Sequence, residues 1–281
     1  MSGLPGQASQ VAGQLRQLLA VLSALFLGLT ACGGGAGDTA GARSNESASG
    51  APAESELSGP LTVFAAASLT DVFEGLAETF MRDNPEVEVT FNFGPSSGLA
   101  TQINEGAPAD VFASANTSQM DVVTAAGSAT GVPRIFVENV LQIAVPAGNP
   151  AGITGIADFE KAGLTLAICA PEVPCGAAAE TVFAVAGITP SVDSLEEDVR
   201  SALTKVELGE VDAALVYVTD VLAAGDAVEG IDFPETEEAV NSYPIVALAA
   251  APNPEAAQAW VEFILSDVAA SALEEAGFRS P

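Results

Sequence analysis

Histidine is absent from the 281 residues and cations are scarce, with 8 Lys+Arg against 37 Asp+Glu and a formal net charge of −29. Without imidazole the chain cannot build a Ser-His-Asp or Cys-His relay, a His-ligated zinc site or a histidine general base. The shortage of Lys and Arg argues against nucleic acid as a partner and against a basic patch that grips anionic lipid. No glycine-rich phosphate loop with its lysine occurs, so nucleotide hydrolysis of that type is unsupported. Apolar residues, by contrast, are plentiful. They make up 49% of the chain, and the mean hydropathy of +0.37 provides ample surface for a folded core. The acidic surplus predicts a well-solvated surface and is compatible with a salty habitat.

The N-terminus reads as an export and anchoring signal. Leu18 to Ala31 form an uncharged apolar run preceded by Arg16. As a helix this run would cover only about 21 Å of a hydrocarbon core of roughly 30 Å, which fits a signal peptide better than a permanent span. Leu29-Thr30-Ala31-Cys32 resembles a bacterial lipobox, so residues 1–31 are expected to be removed and Cys32 to carry lipid. An ordinary signal with an incidental cysteine is the alternative. Residues 32–59, rich in Gly, Ala, Ser and Glu, read as a flexible tether. The remaining roughly 220 residues suit two lobes of about 110 each.

With Cys32 set aside, Cys169 and Cys175 form an even pair in an exported chain and are a disulfide candidate; two buried free thiols are the alternative. The spacing is not that of a thioredoxin-like redox motif.

From Leu61 onward, strand-like and helix-like segments alternate. Strand candidates are 61–66, 87–93, 110–113, 140–145, 164–168 and 213–217. Helical periods cover 70–80, where Val72, Phe73, Leu76 and Phe80 share a face, and then 98–105, 176–186, 199–208 and 254–276. The alternation predicts an α/β architecture with largely parallel sheets. In such sheets ligands sit beyond the carboxyl ends of strands, where the next helix offers unpaired amides and the positive end of its dipole. The junctions here are small and hydroxylic: Ala65-Ala66-Ala67-Ser68, Gly94-Pro95-Ser96-Ser97-Gly98 and Pro174-Cys175-Gly176, none with a Lys or Arg. Each serine alone is more often a helix cap than a ligand contact, and the set says more than its members.

Val63 to Asp71, Ser96 to Ile103 and Gly106 to Ala115, followed by Glu197-Asp198-Val199-Arg200, Leu215-Val216-Tyr217 and Tyr243-Pro244-Ile245, resemble the molybdate-binding proteins of bacterial ABC transporters, from about Leu61 to Phe278. The resemblance implies a two-lobed type II periplasmic binding fold, each lobe a mixed, mostly parallel sheet flanked by helices. Lobe 1 would comprise 60–140 and 242–281, and lobe 2 would comprise 141–241, with crossings near 139–142 and 241–245 and the C-terminal helix returning to lobe 1. It implies that molybdate or tungstate binds in the interlobe cleft with no cofactor, the metal arriving as an oxyanion without direct protein ligands. Ser68 and Ser96 would donate hydroxyls and amides, Cys175 and Val199 backbone amides, and Tyr217 its phenol. Ser97 would adjoin the site or cap the helix from Gly98. A Cys169–Cys175 bridge would fix the loop that carries the Cys175 amide. For Val199, a capping pattern from Ser194 to Glu197 competes with Asp198 as N-cap, and the resemblance favours Asp198, which leaves the Val199 amide free. Arg200 reads as a surface or interlobe ion-pair residue rather than an anion ligand.

A cage made wholly of donors suits a fully deprotonated tetrahedral dianion and disfavours protonated phosphate, which also needs an acceptor. The expected protein is therefore a monomeric, non-enzymatic carrier, anchored outside the cytoplasm and delivering its oxyanion to the permease of an ABC importer. A sulfate or general tetrahedral-oxyanion carrier is the nearest alternative. A lipid-anchored scaffold and an exported enzyme using Ser68 as nucleophile are the remaining ones; the enzyme would need a base from Lys161, Lys205 or a carboxylate.

Overall fold

The computed structural model describes residues 57–281; the expected signal peptide, Cys32 and nearly all of the expected tether lie outside the described residues. The tether was expected to run through Gly59. Instead Ser58 and Gly59 already belong to the first strand, pairing with Glu86 and Val87, and Asn253 Nδ2 donates to Ser58 O at 2.8 Å.

In chain order the first half contains β1 (Ser58–Ala66), α1 (Thr70–Asp83), β2 (Glu86–Gly94), α2 (Ser96–Asn104), β3 (Val111–Ala113), α3 (Thr117–Ala125) and β4 (Ala129–Asn139). The chain continues through β5 (Leu141–Pro146), β6 (Leu166–Cys169), α4 (Pro174–Ala186), β7 (Ser194–Glu196), α5 (Val199–Glu207), β8 (Ala213–Tyr217), α6 (Val218–Ala224) and β9 (Val228–Ile231). It ends with β10 (Asn241–Leu248), α7 (Pro254–Ile264) and α8 (Asp267–Glu275).

The strands form two five-stranded sheets, ordered β2-β1-β3-β10-β4 and β7-β6-β8-β5-β9. In the first, β1 is parallel to β2 and β3, while β10 runs against both β3 and β4. In the second, β6 is parallel to β7 and β8, while β5 runs against β8 and β9. Each sheet thus has a single reversed strand, so both are mixed and mostly parallel. Helices cover the sheets because the strands are apolar on both faces: Val63 and Ala65 enter one cluster of the first lobe and Phe64 another. The C-terminal helices return to this lobe, where Trp260 of α7 meets Phe73 and Phe80 of α1 edge-on, with centroids 5.9 and 5.2 Å apart. The face expected for α1 is buried at Phe73, Leu76 and Phe80, with Val72 half-buried at its edge.

The sheets are joined at Val140, the one residue between β4 and β5, and through residues 232–240 between β9 and β10. The second crossing was expected at 241–245. Asn241, Ser242 and Tyr243 are instead already paired with Asn139, Glu138 and Val137. The single helix expected over 254–276 is two, because Ser266 Oγ caps α8 by accepting the Ala269 N–H. Strand β4 has no counterpart among the expected strands: Gly131 and Pro133 read as breakers, yet β4 is an edge strand, where proline is tolerated.

Candidate functional site

Five chain segments end at one cleft between the sheets. Strands β1, β2 and β8 deliver Ala66, Gly94 and Tyr217 at their carboxyl ends, and the turns after β6 and β7 lead into α4 and α5. Ser68, Ser96, Cys175, Val199 and Tyr217, the five residues singled out from the sequence, all line one cavity of ≈ 20 Å³, together with segments 66–67, 94–95, 173–174, Ala115 and Asp198. Among the described residues no Lys or Arg lines it. The cavity is far smaller than the roughly 300–1,000 Å³ typical of organic-ligand sites, so the space suits a small ion.

Helix starts supply the polar character. Ser96 is the first residue of α2, Cys175 the second of α4 and Val199 the first of α5. Amides in the first turn have no intrahelical acceptor and sit at the positive end of the helix dipole. The competition over the α5 cap is resolved for Asp198, whose Oδ1 accepts the Ser201 N–H at 2.8 Å; Ser194 to Glu196 is strand, not a capping box. Because α2 begins at Ser96 rather than at Gly98, Ser97 lies inside the helix and does not cap it.

The hydroxyls are oriented by neighbours. Ser96 Oγ accepts the Ala115 N–H at 3.0 Å, which leaves its own proton free to be donated. Ser68 Oγ lies 2.9 Å from the Tyr243 hydroxyl. Tyr217 is 1% exposed and its phenol oxygen has no hydrogen-bond partner among the described residues. Burial, with Tyr243 and Asp220 adding to it, holds the Tyr217 phenol well above its ordinary pKa, so it remains a donor. An unpartnered buried phenol on a cavity rimmed by helix N-termini is a group waiting for an acceptor.

The loop from Cys169 to Gly176 is locked in place. Cys169 and Cys175 form a disulfide with Cα atoms 5.7 Å apart, which settles the choice left open between a bridge and free thiols. At Gly176 only glycine fits, since a Cβ there would stand 1.8 Å from the Ala170 carbonyl oxygen. Among the described residues no group of three or more Cys, Asp or Glu is placed to hold a metal ion, and no helix is long and apolar enough to cross a membrane.

Three supporting residues carried no assigned role at the sequence level. Tyr243 holds Ser68. Asp220 is fully buried and its Oδ2 accepts the Tyr217 N–H at 3.0 Å. Asn241 Nδ2 donates to Ala115 O at 2.8 Å. Asp220, an acid three residues after a strand-end tyrosine, fits the start of a helix and was detectable on that basis. Asn241 and Tyr243 are set by the strand pairing alone. Arg200 bridges the lobes: its Nη2 pairs with Asp71 of α1, and its Nε lies 3.0 Å from Asp220 Oδ1 of α6. The partner of Ser68 is therefore a tyrosine. Lys161 and Lys205, considered as bases for a serine nucleophile, pair instead with Asp158 and Glu196.

Residues 61–279 match the model of a family described as bacterial extracellular solute-binding protein. The chain is 40% identical to the molybdate-binding protein ModA of Mycobacterium tuberculosis, over 93% of this chain and 96% of that one. It is 30% identical, over 86% of this chain and 93% of the other, to YvgL of Bacillus subtilis, whose name describes it provisionally as an ABC transporter substrate-binding lipoprotein. Among solved structures, the periplasmic molybdate-binding protein of Azotobacter vinelandii superposes with a TM-score of 0.69 at 20% identity, covering 79% of this chain and 99% of that one. That likeness carries the fold, the two-lobed type II periplasmic binding arrangement.

Proposed function

The chain belongs to the bacterial extracellular solute-binding proteins, and on that premise we propose that it captures molybdate, and also tungstate, between its two lobes and hands the oxyanion to the permease of an ABC importer. The observation that carries this reading is that Ser68, Ser96, Cys175, Val199 and Tyr217, drawn from both lobes, line one small cavity which, among the described residues, no Lys or Arg enters. Ser68, Ser96 and Tyr217 would donate hydroxyl protons, and Cys175 and Val199 their main-chain amides. A fully deprotonated tetrahedral dianion offers only acceptors, and each charge-assisted bond to it contributes about 1.5–3 kcal/mol. Lobe 1 carries one half of the cage and lobe 2 the other, so bound anion stabilises the closed arrangement, with Val140 and residues 232–240 as the hinge.

Anchoring outside the cytoplasm through lipid on Cys32, and action as a monomer, complete the proposal. The lipobox-like sequence and the relationship to a protein named as a lipoprotein support the anchor. The family supports capture rather than turnover, as does the pairing of Ser68 Oγ with the Tyr243 hydroxyl.

Parallel calorimetric titration of the ligand-stripped protein with molybdate, tungstate, sulfate and phosphate tests the reading. Tight one-to-one binding of the first two, with sulfate far weaker and phosphate weakest, is expected. Equal affinity for sulfate would make the protein a general oxyanion carrier, and no binding of any would end the proposal. Loss of membrane retention on Cys32→Ser tests the anchor.

A further inference from the structure

Arg200 follows Val199 immediately, yet its guanidinium does not enter the anion cavity. It lies in the neighbouring crevice, lined among others by Ser68, Asp71, Thr219, Leu222 and Phe278. Two carboxylates flank it from different lobes. Asp220 on α6 belongs to the same lobe as Arg200 on α5, and Asp71 on α1 belongs to the other.

The two pairs must respond differently to opening. Arg200 and Asp220 travel together on the second lobe, so their contact survives when the cleft widens. Asp71 leaves with the first lobe. We infer that the Asp71–Arg200 pair is an interlobe clasp, a positioning contact that exists only in the closed protein and slows ligand release without touching the ligand. This inference rests on the proposed capture of an oxyanion in the cleft.

The geometry supports the division of labour. Asp220 is wholly buried and Asp71 is 60% exposed at its side chain, with Arg200 between them at 27%. The buried partner stays beside the guanidinium when the lobes separate, so Arg200 keeps a neighbour on its own lobe in the open protein. The exposed partner can be gained and lost at little desolvation cost. A contact made only in the closed state raises the closed fraction, and apparent affinity scales with that fraction. Ser68 lines both the anion cavity and the clasp crevice, so closure at one is registered at the other.

The test compares molybdate dissociation by stopped flow for the parent, Asp71→Asn, Asp71→Glu and Glu74→Gln at low and high NaCl. Glu74 is exposed on the same helix, so its replacement controls for the change in charge. Asp71→Asn should release molybdate roughly two- to five-fold faster at low salt and lose most of the salt sensitivity of the parent's release rate. Asp71→Glu should restore slow release, and Glu74→Gln should behave as the parent. Release from Asp71→Asn at the parent's rate, or equal acceleration by Glu74→Gln, overturns the clasp while leaving the binding site standing. If the parent binds no oxyanion, the reading of the cleft fails instead. Solution scattering of the ligand-free proteins then decides: a larger mean radius for Asp71→Asn supports the clasp, and identical radii overturn it.

Discussion

Ser96→Ala separates the cost of losing a ligand contact from the cost of losing a structural one. Ser96 Oγ is buried and accepts the Ala115 N–H, so its proton is available to the cavity. The substitution removes one donor to the dianion, about 1.5–3 kcal/mol, or roughly 10- to 150-fold in affinity. It also leaves the buried Ala115 amide without its acceptor. That penalty, about 1–3 kcal/mol, is present in the empty and the loaded protein alike, so it lowers stability and cancels from the affinity. For a domain of this size the melting temperature of the empty protein should fall by roughly 2–10 °C. Val199→Ala is the contrast. Its side chain is buried in the second-lobe core and its proposed contact is the main-chain amide, so stability should fall by about 1–3 kcal/mol while affinity stays within about three-fold. Calorimetry and thermal unfolding read both quantities. Molybdate affinity of Ser96→Ala within about three-fold of the parent, or equal losses for Ser96→Ala and Val199→Ala, would refute the division between hydroxyl and amide donors.

Replacing Cys169 and Cys175 together by Ala opens a loop of about seven residues and should cost roughly 2 kcal/mol in denaturant unfolding, with a smaller loss of molybdate affinity because the amide at 175 remains. Burial pushes the Asp220 carboxyl up to about 7 against the opposing pull of Arg200 and the Tyr217 N–H. The native state then binds more protons than the unfolded chain between about pH 4 and 7, so this residue's contribution to stability falls as pH rises across that window; Asp220→Asn should flatten the slope of unfolding free energy by up to about 1.4 kcal/mol per pH unit, and an unchanged slope would contradict it. With a formal net charge of −29 the protein repels a dianion at long range. The association rate for molybdate should therefore rise with NaCl as the screening length shrinks from about 30 Å at 0.01 M to about 3 Å at 1 M, and a falling rate in stopped flow would point to a steering field not visible in the charge count.

The two halves of the site differ in how legible they were. Segments 61–66 and 213–217 are short apolar runs and 87–93 alternates apolar with polar residues, and their strand identity follows from pattern alone. The rule that ligands collect where parallel strands give way to helices singled out the junctions at 65–68, 94–98 and 174–176, and the resemblance to molybdate-binding proteins named the contact residues within and beyond them. Pattern could not reach β4 or β10, because Gly131, Pro133 and Pro244 break the local signal, and only pairing across the sheet makes these segments strands. The register shift between Tyr243 and Pro244 accommodates the second proline. This also explains the misplaced second crossing: residues 241–243 hold their places through partners at 137–139, a contact about a hundred positions away in sequence. The support behind the donors was hidden for the same reason. That Ser68 meets Tyr243, and Arg200 meets Asp71, are facts of tertiary packing between lobes.

That a chain so acidic should hold an anion, as proposed, in a cavity that no Lys or Arg lines among the described residues, is less paradoxical once each nearby carboxylate is followed to its partner. Asp198 lines the cavity, but its Oδ1 is engaged with the Ser201 N–H as the cap of α5. Asp220 stands behind Tyr217, taking that residue's amide with one oxygen and facing Arg200 with the other. Asp71 is turned to Arg200 in the adjoining crevice. Each is committed to a donor, and those donors, Ser201 and Arg200 on α5 and Tyr217 at the end of β8, all belong to elements that carry the proposed cage, so the acids orient the site instead of opposing it. What remains directed into the cavity is donor capacity: hydroxyl protons fixed by neighbours and amides at helix starts. Such a site offers no acceptor to a protonated oxyanion and no mobile cation to a larger or differently shaped acid, which is why discrimination falls to protonation state and to cage radius.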